Sequence, residues 1–387
     1  MRWTRRIATV ATGVAAITTV IGLSAANAAY TPQALTLPWH PAGPVHSSLA
    51  GNGVLYIGGK LDGTGGIGAV DPGTGNLLWM LPADKDVRAL ALSPDGSTLY
   101  AGGTFSTVDG ATHRHLVAIN TADHTVLPKW KPTAAGEVRD LIAYGNDLYV
   151  AGKITTISGV AHRGIGALVA STGKVDPAFT FSADNDVLGL TMAGTRLILS
   201  GSFSHINGSS RSNLASIDLA NNTLTSWAPA KLCSGCDQYW DVVTDGTNAY
   251  VGTSGLQGFL GAFNLTTGRQ PWQIVSADGD VQALWLDSDG TLYLGGHFAH
   301  WVNSGYASFY PQNPVSVTNL AAVSTATGQP IASFNPRIYK PYPGVWTITA
   351  TAGKLWAGGD FTGEGVPTSS GGVRNNKLPY IAAYPVI

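Results

Sequence analysis

The chain has 387 residues, a formal net charge of −1, and 12% charged against 44% hydrophobic residues. No clustered Lys/Arg block offers itself to a phosphate backbone, which argues against nucleic-acid binding, and apolar residues are too plentiful for a disordered chain. Low charge with 49 glycines and many Thr, Ser and Asn suits a rigid extracellular all-β protein.

Residues 1–28 read as an export leader. Arg2, Arg5 and Arg6 precede an apolar run over 7–23, and Ala26-Asn27-Ala28 forms a small-residue cleavage site ahead of Ala29. The run is short for a membrane span and holds several Thr, so stable membrane insertion is not expected. Arg5-Arg6 leaves a twin-arginine export route open beside the general secretory one. Residues 29–387, at a net charge of about −4 without the leader arginines, are expected to form one secreted, monomeric domain.

From Val45 onward the chain repeats itself. Units begin at Val45, Val87, Val138, Val187, Tyr239, Val281 and Val345, each with an apolar strand, a turn and a second strand, which in four units ends in a Gly pair. The spacing of about 40–65 residues, with several short strands per unit, is that of a β-propeller. Turn pairs such as Asp95-Gly96 and Asp289-Gly290 support antiparallel hairpins. The Gly pairs at 58–59, 102–103, 295–296 and 358–359 imply close backbone approach or a bulge. Trp79, Trp130, Trp227 and Trp272, with Phe179 or Phe181 and Phe334 in their place, mark a fourth strand. The last unit ends before any such strand, whereas residues 34–41, around Trp39, carry its signature ahead of the first. The expectation is an all-β, seven-bladed propeller of four-stranded blades, the seventh completed by residues 34–41.

The units resemble the β-propeller repeats of exported bacterial proteins, in which G-G-x-F-x-x-x-x-G precedes R-x-x-L-A-x-x-D-x-x-T-G. The matching stretches are Gly102-Gly103-Thr-Phe105 with residues 114–120, and Gly201-Ser-Phe203 with residues 211–218. Asp71-Pro-Gly-Thr-Gly75 before Trp79 and Asn264-Leu-Thr-Thr-Gly268 before Trp272 look like blades of quinone-dependent dehydrogenases and their non-enzymatic relatives. Those enzymes need a quinone site with a metal ligand set, which this sequence does not display. The resemblance implies the architecture and carries over no catalytic residue.

Candidate binding residues follow from the repeat. Asp86, Glu137, Asp186, Asp237 and Asp280 precede first strands, while Arg114, Arg163 and Arg211 lie in the loops between second and third strands. Propeller connectivity sends both sets to one face, near the channel mouth. There they either staple neighbouring blades through bidentate ion pairs or form a polar ligand or cation site. The residues name no cofactor, and a structural cation is one option. Cys233 and Cys236 are expected to form a small disulfide ring. His297 and His300 are weak metal candidates lacking a third ligand, and the insertion over 302–320 offers Tyr306, Phe309 and Tyr310 for packing or sugar stacking. Two functions stay open. The first is a secreted, non-enzymatic binding module for an extracellular protein, a cell-wall component or a glycan. The second is a secreted carbohydrate-active hydrolase or lyase with an acidic site at the channel mouth.

Overall fold

A computed structural model of the protein describes residues 28–255, 258–276, 279–298, 300–302, 315–339, 344–367 and 373–387. Residues 1–27 of the expected 1–28 leader and the insertion aromatics at 306, 309 and 310 lie outside these residues.

Seven innermost strands surround a central channel: Val45–Gly51, Val87–Leu92, Ala134–Tyr144, Val187–Ala193, Tyr239–Thr244, Asp280–Leu286 and Val345–Thr351. Each packs beside the next, and the seventh returns to the first. Apolar side chains gather into seven clusters, one in each interface between neighbouring blades. Covering both faces of every sheet explains why the second and third strands of the blades are almost continuously buried.

The Gly pairs have a double role. A Cβ on Gly102 would lie 2.4 Å from Val138 of the next blade, and one on Gly103 would lie 2.2 Å from the Asp86 carbonyl oxygen of its own blade. The first glycine therefore admits the neighbouring inner strand, and the second admits a β-bulge. That bulge recurs in all seven blades, immediately after the first valine or tyrosine of the unit, as between Val87 and Ala89. The extra residue is left without a ladder partner and re-aims its side chain.

The blades are not uniformly four-stranded, contrary to expectation. The first, fourth and fifth have four strands of their own, the third adds a short hairpin strand, and the second, sixth and seventh have three. In the second and sixth blades the outermost segment pairs only through single bridges, Ile119 with Val126 and Val323 with Pro330, and in the seventh the N-terminal segment takes that place. The aromatic of the segment nevertheless keeps its place. Second-strand tyrosines pack on it in the pairs Tyr56–Trp79, Tyr100–Trp130, Tyr149–Phe179, Tyr250–Trp272 and Tyr293–Phe334. Indole N–H groups of Trp130, Trp227 and Trp272 also donate to Ala170, Asn264 and Thr325 carbonyls of the following blade, at 2.7–2.9 Å.

The two ends of the domain meet on the seventh blade. Thr31 and Leu35 N–H donate to the Pro385 and Ala383 carbonyls, and Ile387 N–H donates to Ala29, each at 2.8 Å. The paired residues lie slightly upstream of the expected 34–41, because Pro38 and Pro41 cannot extend a ladder. Leu37 is buried between the seventh and first blades, with Trp39 packed against the same cluster.

Cys233 and Cys236 form a disulfide with Cα atoms 5.3 Å apart. Part of the long insertion returns as the strands His300–Val302 and Val315–Ser316, which extend the outer edge of the fifth blade. No helix among the described residues is long and apolar enough to cross a membrane.

Candidate functional site

The bulged residues, one per blade, are His46, Arg88, Arg139, Leu188, Trp240, Gln282 and Trp346. All seven line a single well of about 160 Å³ at the channel mouth. Deeper in the well stand Ser48, Asp140, Asp241 and Thr347.

A circuit of ion pairs and ring contacts holds the mouth. Asp360 Oδ1 lies 3.3 Å from His46 Nε2, whose Nδ1 lies 2.7 Å from Asp86 Oδ1. Asp86 Oδ2 pairs with Arg88 Nη2 at 2.9 Å. Glu137 Oε1 then serves both Arg88 Nε at 2.8 Å and Arg139 Nε at 2.9 Å. The Arg139 guanidinium lies 5.4 Å from the Trp240 ring centroid. Trp240 meets Trp346 edge-on, and Trp346 Nε1–H donates back to Asp360 Oδ2 at 2.8 Å. The half of the mouth built by the first three blades is thus charged, and the half built by the last three is aromatic and amide.

The circuit sets its own protonation. Burial works against charge on His46, but hydrogen bonds to Asp360 and Asp86 outweigh it and raise the imidazole above its ordinary range. Burial likewise pushes Asp360 up, yet the bonds from His46 and Trp346 leave it lowered. Desolvation, followed by repulsion from Arg88, lowers Arg139. Below them, burial and then the charge of Asp241 raise Asp140 to about 7, while burial raises Asp241 to about 6. Each of these carboxylates accepts one N–H from its own strand and one from a following inner strand: Asp140 from Leu141 and Leu190, Asp241 from Val242 and Leu284, all at 2.7 Å.

Of the residues proposed from sequence, Asp86 and Glu137 belong to this circuit. Asp280 instead accepts the Gly255 N–H, and Asp237 pairs with Lys231 at 3.3 Å in a groove between the fourth and fifth blades. Asp186 offers its backbone carbonyl to Ser202 N–H. Arg114 and Arg163 are exposed, and Arg211 donates to the Ser210 and Thr225 carbonyls. None of the three arginines forms an ion pair among the described residues. The arginines that do pair with the acids are Arg88 and Arg139, two residues after Asp86 and Glu137. His297 ends an inner-blade strand while His300 begins the added strand beside the fifth blade. The His300 side chain lies outside the described residues, and no cluster of three or more metal-ligating side chains occurs among those described.

No protein-family model matches the chain, and no curated protein matches it. Solved structures do. The WD40 β-propeller domain of Doa1 superimposes with a TM-score of 0.54 at 9% identity, over 92% of this chain and 96% of that one. The computationally designed Ika8 protein gives 0.53 at 10% identity, over 92% and 100%. At such identities the likeness is one of fold.

Proposed function

We propose that this protein is a secreted, non-enzymatic β-propeller binding module, akin to exported bacterial propeller repeats, whose ligand surface is the channel mouth. The observation that carries this reading is the convergence of one bulged side chain from every blade on a single polar and aromatic well. A concave site with convergent polar groups on a rigid scaffold is the usual form of a ligand site. The leader-like N-terminus and the disulfide support export. The ligand is an extracellular protein, a cell-wall component or a glycan.

The test is a screen of the mature chain against cell-wall fractions, glycans and secreted proteins, with hydrogen exchange on each complex. Protection centred on residues 45–48, 86–90 and 137–141 is expected. Protection confined to the blades' outer edges would overturn the assignment.

A second reading, a carbohydrate-active enzyme, is favoured by one observation: the two well-floor carboxylates Asp140 and Asp241 have raised pKa values. Carboxyls of that kind serve as general acids. It ranks second because both oxygens of each already accept backbone N–H groups that tie inner strands together. Release of reducing ends from a polysaccharide would promote it.

A further inference from the structure

We propose that the well binds the carboxylate-bearing ring of a hexuronate within an acidic polysaccharide, a reading that rests on the channel mouth being the ligand surface. Arg139 is the centre of the argument. Its Nε lies 2.9 Å from Glu137 Oε1 as an ion pair without hydrogen-bond alignment, and its guanidinium carbon lies 5.4 Å from the Trp240 ring centroid, so the group sits between a carboxylate and a ring. Its terminal Nη nitrogens donate no hydrogen bond to any described residue, although the side chain is only 14% exposed and lines the well. A desolvated guanidinium held in this way presents a preorganised fork, and a carboxylate is the group that matches a fork with two parallel hydrogen bonds. Arg88, joined to the same Glu137 oxygen, adds a second positive charge beside it. Glu137 Oε1 is shared with Arg88, which also holds Asp86, so Arg139 has no carboxylate to itself.

The rest of the well selects what carries that carboxylate. The floor is lined by Asp140 and Asp241, whose oxygens each already accept one backbone N–H, and by the Ser48 and Thr347 hydroxyls, which bond to one another; their remaining lone pairs suit hydroxyl donors and not a second anion. Trp240 and Trp346 form an apolar wall. The Trp240 Nε1 and Gln282 Oε1 atoms are buried without a partner, one donor and one acceptor at the same wall. A volume of about 160 Å³ matches one six-membered ring, since roughly 150 Å³ accommodates benzene. A polyhydroxylated ring with one carboxylate meets all of these demands.

The polymer has a path out. Arg88 also lines an adjoining groove of about 370 Å³ between the first and second blades, with Lys60, Lys85 and Thr104. Asp84 in that groove is occupied in accepting Ser106 and Thr107 N–H, and Asp86 is occupied by His46 and Arg88. The two lysines are therefore available to the carboxylate of the next sugar.

Calorimetric titration of the mature chain with oligomers of galacturonate, glucuronate and mannuronate, and with the methyl esters of each, tests the assignment. At least one free acid is expected to bind, its ester at least tenfold more weakly, with affinity falling as salt rises. Arg139→Gln should abolish binding, Arg139→Lys should weaken it about tenfold, and Lys60→Ala with Lys85→Ala should weaken longer oligomers more than the monosaccharide. The lysine pair is at the surface and keeps the test valid if Arg139 variants do not fold. Equal binding of acid and ester, or loss of binding to all three acids while a neutral glycan or protein still binds at the mouth, would overturn the hexuronate and leave the module reading intact. No ligand at the mouth at all would sink both.

Discussion

At the residue scale, Glu137 is the most exposed to attack, because one of its oxygens neutralises two arginines. Glu137→Gln should leave the largely buried Arg139 guanidinium without its paired carboxylate, Arg88 retaining Asp86, and cost about 3 kcal/mol. Adding Arg88→Gln should recover part of that loss by removing the repulsion on Arg139; strictly additive losses in denaturant melts would refute the shared-oxygen geometry. The same circuit predicts an unusual pH profile. The His46 imidazole is raised in the fold, so its contribution is complete below about 6.5 and fades as pH rises through the higher folded value. Asp140, Asp241 and Glu364 are acids raised to about 7, 6 and 7, with burial as the leading cause in each. For them the folded state holds a proton that the unfolded chain has already released, so stability falls as pH climbs from about 4 toward 7. These four groups act in one direction, and His40 and His113, lowered by burial, oppose them only below about 6.5. The melting temperature should be higher at pH 5 than at pH 8, and His46→Asn should flatten the segment above pH 6.5. A protein more stable at pH 8 would contradict these protonation states.

At the element scale, the disulfide closes so short a ring that chain-entropy arguments allow about 2 kcal/mol. Cys233→Ser with Cys236→Ser should therefore lower the melting temperature by only a few degrees, while hydrogen exchange quickens locally ahead of Tyr239. A collapse of the whole fold would mean that the loop organises the fifth blade. The elements also show why architecture was easier to read than the site. Gly102-Gly103, Tyr100 and Trp130 recur as types because each blade solves the same packing problem against its neighbour, so spacing alone revealed them. Asp86 and Glu137 were legible for the same reason, standing just before recurrent valines. Arg88, Arg139 and Trp240 were not, although a signal existed: one position after the first valine or tyrosine runs His, Arg, Arg, Leu, Trp, Gln, Trp while its surroundings stay constant. Variation at a fixed place in a repeat marks a surface released from packing, but that this place faces the channel depends on a bulge, and a bulge exists only once two strands pair. The fourth strands that aromatic spacing suggested likewise shrink to single bridges in the second and sixth blades.

At the scale of the whole molecule, stability depends on a seam. Six of the seven blade interfaces join consecutive stretches of chain, whereas the seventh joins its two ends. The first and last inner strands meet there, and Ser48 Oγ reaches Thr347 Oγ1 and Thr349 Oγ1 at 2.7 and 2.6 Å. Outside them, the strap over 29–41 covers the free edge of Ile381–Pro385 and buries Tyr30 and Leu37. Ala34 N–H also reaches Glu364, a carboxyl only 1% exposed. Two buried side chains at about 2 kcal/mol each are a large part of a typical stability margin. A chain beginning at residue 42 should still close its inner ring, melt at a clearly lower temperature, and expose an unpaired apolar strand edge that recruits another copy. Light scattering after size-exclusion should then show species larger than those of the chain that keeps residues 29–41, and a synthetic peptide of those residues should reverse the change by refilling the edge. An unchanged size at an unchanged melting temperature would place the closure of the ring in the inner strands alone, making the strap a covering and not a clasp.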